Sequence, residues 1–96
     1  MKYTYTAVLA PSEDGKKFFA SVPDLESCVT SGRDVDDAID MITDAASLWL
    51  VSAEDHDEQI PEPTPQNGID VPDKAMTALI QIDTTTYRAE TDTRRE

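Results

Sequence analysis

Basic side chains are missing from residues 34–73, which carry twelve acids (Asp34, Asp36, Asp37, Asp40, Asp44, Glu54, Asp55, Asp57, Glu58, Glu62, Asp70 and Asp73) and neither Lys nor Arg. The remaining positions balance at eight acids against eight bases, so the formal net charge of −12 comes from that stretch. Phosphate binding draws its energy from cationic neutralisation and counterion release, so no direct contact with nucleic acid is expected of this segment. A basic partner is the natural complement, with solubilising surface charge as the competing explanation. The lone cysteine, Cys28, excludes an internal disulfide. No apolar run opens the chain or approaches about 18 residues, so neither secretion nor a membrane span is expected and the chain reads as soluble and cytoplasmic.

Groups that carry chemistry are equally sparse. His56 lies among acids without a second His or Cys at ligand spacing, which makes it a solvated histidine rather than a ligand or general base. Ser21, Ser27 and Ser31 have no base partner, and Cys28 has no neighbouring His or basic pair to lower its pKa. Gly15 and Gly32 read as turn glycines, and no Gly-rich loop precedes a helix. Tyr3, Tyr5, Phe18, Phe19 and Trp49 fall mostly at core positions, so a base-stacking platform is not expected.

At 96 residues the chain is one small domain with a single modest core. Residues 3–10 alternate Tyr3, Tyr5, Ala7 and Leu9 with Thr4, Thr6, Val8 and Ala10, the period of a strand. Asp14-Gly15 supplies a positive-φ turn before Phe18, Ala20 and Val22 resume the alternation, giving a β-hairpin. Pro23 ends the second strand, and Cys28-Val29-Thr30 allows a short third one before Gly32. Asp34 stands where an N-cap belongs, with Asp36 and Asp37 in the first turn.

The helix that follows, to about Glu54, aligns Val35, Ala38, Ile39, Ile42, Ala46, Trp49, Leu50 and Ala53 on one face for packing on the sheet. Met41, Leu48 and Val51 project to the opposite side among Asp37, Asp44 and Asp55, which suggests a protein contact. Residues 60–72 hold four of the six prolines and form an extended connection, neither helix nor central strand. Ala78–Ile82 reads as the last strand. Residues 1–83 are therefore expected to form the folded domain and residues 84–96, with only Tyr87 and Ala89 apolar, a mobile tail.

The ordered set Phe18-Phe19-Ala20-Ser21-Val22-Pro23-Asp24-Leu25, Cys28, Thr30, Gly32, the helix from Val35 with Asp37, Ala38 and Ala45, Ile60-Pro61-Glu62-Pro63 and Leu79-Ile80-Gln81-Ile82-Asp83 resembles the HicB antitoxin family. The resemblance implies an α+β, partial RNase H-like fold: an antiparallel sheet of three to four strands with one long helix on one face, in the order β-β-β-α-β. It also implies a small basic HicA-like mRNA-cleaving toxin as partner, together with a share in autoregulation of the operon. Members of the family often carry a C-terminal DNA-binding module. Residues 84–96 resemble the approach to one, and the sequence is expected to stop before such a module forms, so direct nucleic-acid binding by this chain is not expected. Arg94 and Arg95 are too few for an operator surface.

An RNase H-like fold raises the question of a nuclease site, which requires several carboxylates converging on metal ions. The helix acids mostly face away from the packing stripe and Asp24 is equally a turn residue, so no catalytic, metal or cofactor-binding residue is assigned. Asp24 and Glu26 in the loop, with Asp37, Met41, Asp44 and Leu48 on the outward helix face, are the expected contacts to the toxin. The alternative is an orphan HicB-like oligomerisation module without a toxin, pairing with itself through a sheet edge or the Met41/Leu48 strip. Homo-oligomers are expected under either reading.

Overall fold

The computed structural model describes the backbone of residues 1–94 and side chains through Glu90. In chain order the elements are β1 (Lys2–Pro11), β2 (Phe18–Ser21), β3 (Val29–Gly32), α1 (Val35–Asp55), a single 3-10 turn (Gln66–Gly68), β4 (Met76–Asp83) and α2 (Thr84–Arg94). The strands form one antiparallel sheet ordered β3-β2-β1-β4, with α1 laid across one face. This is the α+β arrangement that the sequence predicts.

Central position explains the burial of β1. Tyr5, Ala7 and Leu9 point into the core beneath α1, while Thr6 and Val8, on the other face, are also buried. β4 pairs with β1 without a bulge from Lys2↔Asp83 to Leu9↔Met76, whereas β2 covers only Val8 to Pro11. The hairpin between β1 and β2 is closed by Gly15 at φ +70° and by the Asp14 carboxylate, which accepts from Ser12 Oγ at 2.6 Å and Lys16 N at 3.0 Å.

Pro23 ends β2, and the chain makes a tight loop in which Leu25 N donates to Val22 O, Cys28 N to Leu25 O and Val22 N to Cys28 O. Val22, Leu25 and Cys28 enter the core, so Cys28 packs just before β3 rather than within it. The core face of α1 is built on Ala38, Ile42, Ala46, Leu50 and Ala53, with Val35, Ile39 and Trp49 at its margins. Phe19 departs from the core assignment of the aromatics: it is 47% exposed on the uncovered sheet face, with the Lys17 ammonium 5.1 Å from its ring centre.

The segment after α1 is extended, as its prolines require, apart from the 3-10 turn, and it is tied down along its length. Tyr5 Oη donates to Pro61 O, and Gln66 Nε2 donates to Thr77 Oγ1 at 2.8 Å. Pro72 then stands beside Val8, Ala10 and Phe19 on the uncovered face. Thr84–Arg94, which falls in the expected tail, forms helix α2, and the last two positions of that tail lie outside the described residues. The Asp83 carboxylate accepts from Thr85 N at 3.0 Å and Thr86 N at 3.4 Å and starts that helix as an N-cap does.

The junction from β3 to α1 is the tightest place in the fold. A Cβ on Gly32 would stand 2.6 Å from Ala38 Cα and 2.8 Å from the Asp37 carbonyl carbon, so backbone meets backbone there. Gly32→Ala must push the first turn of α1 off the sheet. Equilibrium urea unfolding should show a loss of roughly 1–3 kcal/mol or more, whereas Gly68→Ala, whose Cβ meets only Thr64 Cγ2 at 3.3 Å, should change stability far less.

Candidate partner-binding surface

Met41, Asp44 and Leu48 are three and four residues apart, so they stand in one line along the outer side of α1. Met41 is 46% and Leu48 59% exposed, and Asp44 is exposed between them. Val51, also expected to face outward, is half-buried, and Arg88 of α2 donates to its carbonyl at 3.3 Å.

Asp37, at the head of this line, is occupied by the helix start. Its carboxylate accepts from Arg33 N at 2.9 Å and lies 3.5 Å from Arg33 Nε, while its own N–H donates to Asp34 Oδ1 at 2.8 Å. The backbone hydrogen bond from Arg33 is the main cause that holds the Asp37 carboxyl below its ordinary value. This reciprocal arrangement is a variant of the capping box, shifted by one residue.

Asp24 is likewise engaged within the chain. It is half-buried, and Oδ2 accepts from Thr64 N at 2.7 Å while Oδ1 accepts from Thr64 Oγ1 at 2.6 Å. The carboxylate clamps the Pro-rich segment to the loop after β2. Glu26 is exposed, and its carbonyl accepts from Trp49 Nε1 at 3.0 Å. Of the six residues the sequence singles out, Glu26, Met41, Asp44 and Leu48 thus lie on the outer surface, while Asp24 and Asp37 hold the fold that presents them.

Two depressions flank the line. On one side Glu26, Cys28, Val29, Ala45, Leu48 and Trp49 help to form a groove of about 480 Å³. Val29 is 68% exposed at its rim. On the other side, between α1 and α2, Asp40, Asp44, Asp83 and Glu90 line a cleft with Tyr87 and no basic residue. Thr43 and Ser47 within it donate their hydroxyls to the carbonyls of Ile39 and Thr43, each at 2.7 Å. The surface offers apolar side chains and negative charge side by side. Among the described residues no three His, Cys, Asp or Glu side chains gather as a group that could hold a metal ion.

The wall that α2 contributes depends on Glu54. Its carboxylate accepts from Tyr3 Oη at 2.7 Å, Thr84 Oγ1 at 3.0 Å and Arg88 Nη2 at 3.0 Å. Arg88 Nη1 also pairs with Asp55 at 2.9 Å. Partial burial works against the charged carboxylate, but the three hydrogen bonds outweigh it and keep the Glu54 carboxyl below its ordinary value. Burial and then the hydrogen bond to Glu54 push the Tyr3 hydroxyl up to about 12.

With this geometry in place, the chain can be set beside known proteins. The family model described as a HicB-like antitoxin of bacterial toxin–antitoxin systems matches residues 5–94. The chain belongs to the HicB-like antitoxin family. A chain of a toxin–antitoxin complex from Streptococcus pneumoniae has the same fold, with a TM-score of 0.79 at 21% identity over 91% of this chain and 73% of that one. A chain of the HicA3 and HicB3 toxin–antitoxin complex is similar at a TM-score of 0.64 and 17% identity, over 83% of this chain and 98% of that one. At such identities the likeness is one of fold. No curated protein matches in sequence.

Sequence reasoning leaves Val29 and Trp49 out of the surface. Strand alternation carries the signal for Val29, since a buried Cys28 turns its neighbour outward. Trp49 sits at the edge of the apolar stripe, where an indole keeps one side for a hydrogen bond.

Two outcomes follow from these contacts. Because its carboxyl is lowered on folding, Glu54 contributes fully above the ordinary value of 4.5 and loses that contribution as the pH falls through the folded value. Tyr3, raised on folding, contributes below 10.0 and loses that contribution as the pH climbs towards about 12. Denaturant midpoints measured against pH should decline on both sides for the natural chain, and Glu54→Gln should flatten the acid side. Asp24→Ala leaves Thr64 N–H and Oγ1 without their acceptor and should cost about 1–3 kcal/mol in urea unfolding.

Proposed function

We propose that this chain is the inhibitory half of a toxin–antitoxin pair, binding and covering a small basic HicA-like ribonuclease in the cytoplasm. Membership of the HicB-like antitoxin family, and a fold shared with chains of toxin–antitoxin complexes, support the general role. The observation that carries the docking face is the line of Met41, Asp44 and Leu48. Two large apolar side chains are held out at 46% and 59% exposure on a helix bordered by acids. Such a surface suits a partner whose RNA-binding face is cationic and amphipathic.

The two components of that surface act at different stages. Asp40, Asp44, Glu26 and Glu90 attract a basic partner and raise the association rate, an effect that salt suppresses. Met41, Leu48 and the groove beside Trp49 bury apolar area on contact and slow dissociation. Inhibition then needs no bond-making by this chain: carboxylates take the place of RNA phosphates and the body of the domain blocks access. A share in repression of its own operon belongs to the same reading, exercised through the assembled complex, since the chain bears a net charge of −12.

Co-expression with a small basic ribonuclease encoded beside this chain tests the reading. The ribonuclease should co-purify and lose its RNA cleavage. Met41→Asp with Leu48→Asp should weaken that association by at least about tenfold, roughly 1.4 kcal/mol, through faster dissociation, with unchanged circular dichroism and unfolding midpoint. Full ribonuclease activity in the presence of excess natural chain would sink the proposal.

A further inference from the structure

The groove beside Trp49 has the lining of a cation site, and no base among the described residues enters it. Val29, Ala45, Leu48 and Trp49 supply its apolar surface, and Glu26 and Glu58 its charge. Both carboxylates are exposed, and neither pairs with a Lys or Arg among the described residues. The indole is held in place by its N–H bond to the Glu26 carbonyl and remains half-exposed. An aromatic ring fixed between two free carboxylates attracts a positive charge through both its quadrupole and its neighbours.

The backbone delivers both carboxylates at a cost. Ser27, next to Glu26, has φ +62°, and Asp57, next to Glu58, has φ +52°, a region that residues with a Cβ rarely enter. At Asp57 the chain folds back on the end of α1, so that Glu58 N donates to Ala53 O at 2.9 Å and Glu58 reaches the groove. The last turn of α1 holds no basic residue, and its free carbonyls add to the negative potential. Glu54 and Asp55, the other acids of that turn, are already taken by Arg88 from α2.

We infer that this groove is a socket for one arginine side chain of the partner, an inference that rests on the proposed toxin reading for the source of that arginine. The aliphatic stem lies along Leu48 and Val29, and the guanidinium stacks on Trp49 with its N–H groups turned to Glu26 and Glu58. Lysine fits the site less well, because a compact, strongly hydrated ammonium neither stacks on an indole nor forks between carboxylates. The line of Met41, Asp44 and Leu48 supplies area and long-range attraction. A socket that accepts one side chain adds an anchor that fixes how the partner is turned.

Trp49 is the sole tryptophan, so its indole N–H gives one signal in a nitrogen–proton correlation spectrum of the full chain. Titration with N-acetyl-glycyl-arginyl-glycine amide should move that signal saturably, and the lysine analogue should bind at least about threefold more weakly. Glu26→Gln with Glu58→Gln should lower the affinity for the arginine peptide by a similar factor without changing the unfolding midpoint. Asp70→Asn with Asp73→Asn removes the same charge from the exposed Pro-rich segment and should leave the affinity within about twofold. In the complex with the co-expressed ribonuclease, Glu26→Gln with Glu58→Gln should weaken binding at least about fivefold. Replacing one particular arginine of the ribonuclease by alanine should cancel most of that effect.

An unmoved Trp49 signal, an equal response to the lysine peptide, or an equal loss with the Asp70 and Asp73 variants overturns the socket. So does a ribonuclease that binds and is inhibited while none of its arginines couples to Glu26 and Glu58, and that outcome leaves the toxin reading standing. A ribonuclease that fails to bind while the peptide results hold overturns the toxin reading and leaves the socket.

Discussion

The direct approach of Gly32 to the first turn of α1 sets the rest of the molecule. With no Cβ at this position, the backbone of Asp37 and Ala38 rests on the end of β3. Asp34, which accepts from Asp37 N, and Asp37, which accepts from Arg33 N, then fix the direction in which the helix leaves. That direction decides which side of a 21-residue helix faces the sheet. Once Ala38, Ile42, Ala46 and Leu50 are committed to the core, Met41, Asp44 and Leu48 have nowhere to go but outward. The surface proposed for the partner is the unavoidable reverse of the packing face.

Most of this was legible in the sequence because period and turn chemistry agree. The alternation of Tyr5, Ala7 and Leu9, the Asp14-Gly15 turn and the Asp34 cap each act over a few residues, and local chemistry is enough to place them. Helix α2 escapes the same reasoning. Its residues are mainly threonines and charges, and what holds it is a long-range set of contacts from Thr84 and Arg88 to Glu54, whose carboxylate also accepts from Tyr3. No window of sequence contains both partners.

The same limit applies to the acids of the candidate surface. A carboxylate in a Pro-Asp turn looks exposed when only its neighbours are considered. Asp24 instead meets Thr64, a residue forty positions away that the extended Pro-rich segment brings alongside. Asp37 is taken by the backbone of Arg33. Acids used in this way give the surface its shape, and those left over, such as Asp40 and Asp44, give it its charge. The division between the two kinds is a property of the tertiary fold alone.

The position of β1 has a consequence for how the chain comes to its shape. β1 precedes the other strands yet is an inner strand of the sheet, and its longest partnership, from Lys2↔Asp83 to Leu9↔Met76, is with the last strand of the sheet to be synthesised. Contacts so distant in sequence form late and slow the closing of a domain. Until β4 has emerged from the ribosome, one whole side of β1 is without its neighbour. Over that interval the edge of β1 that β4 will cover stands open to other pairing partners, and the sheet that backs the outer face of α1 is incomplete.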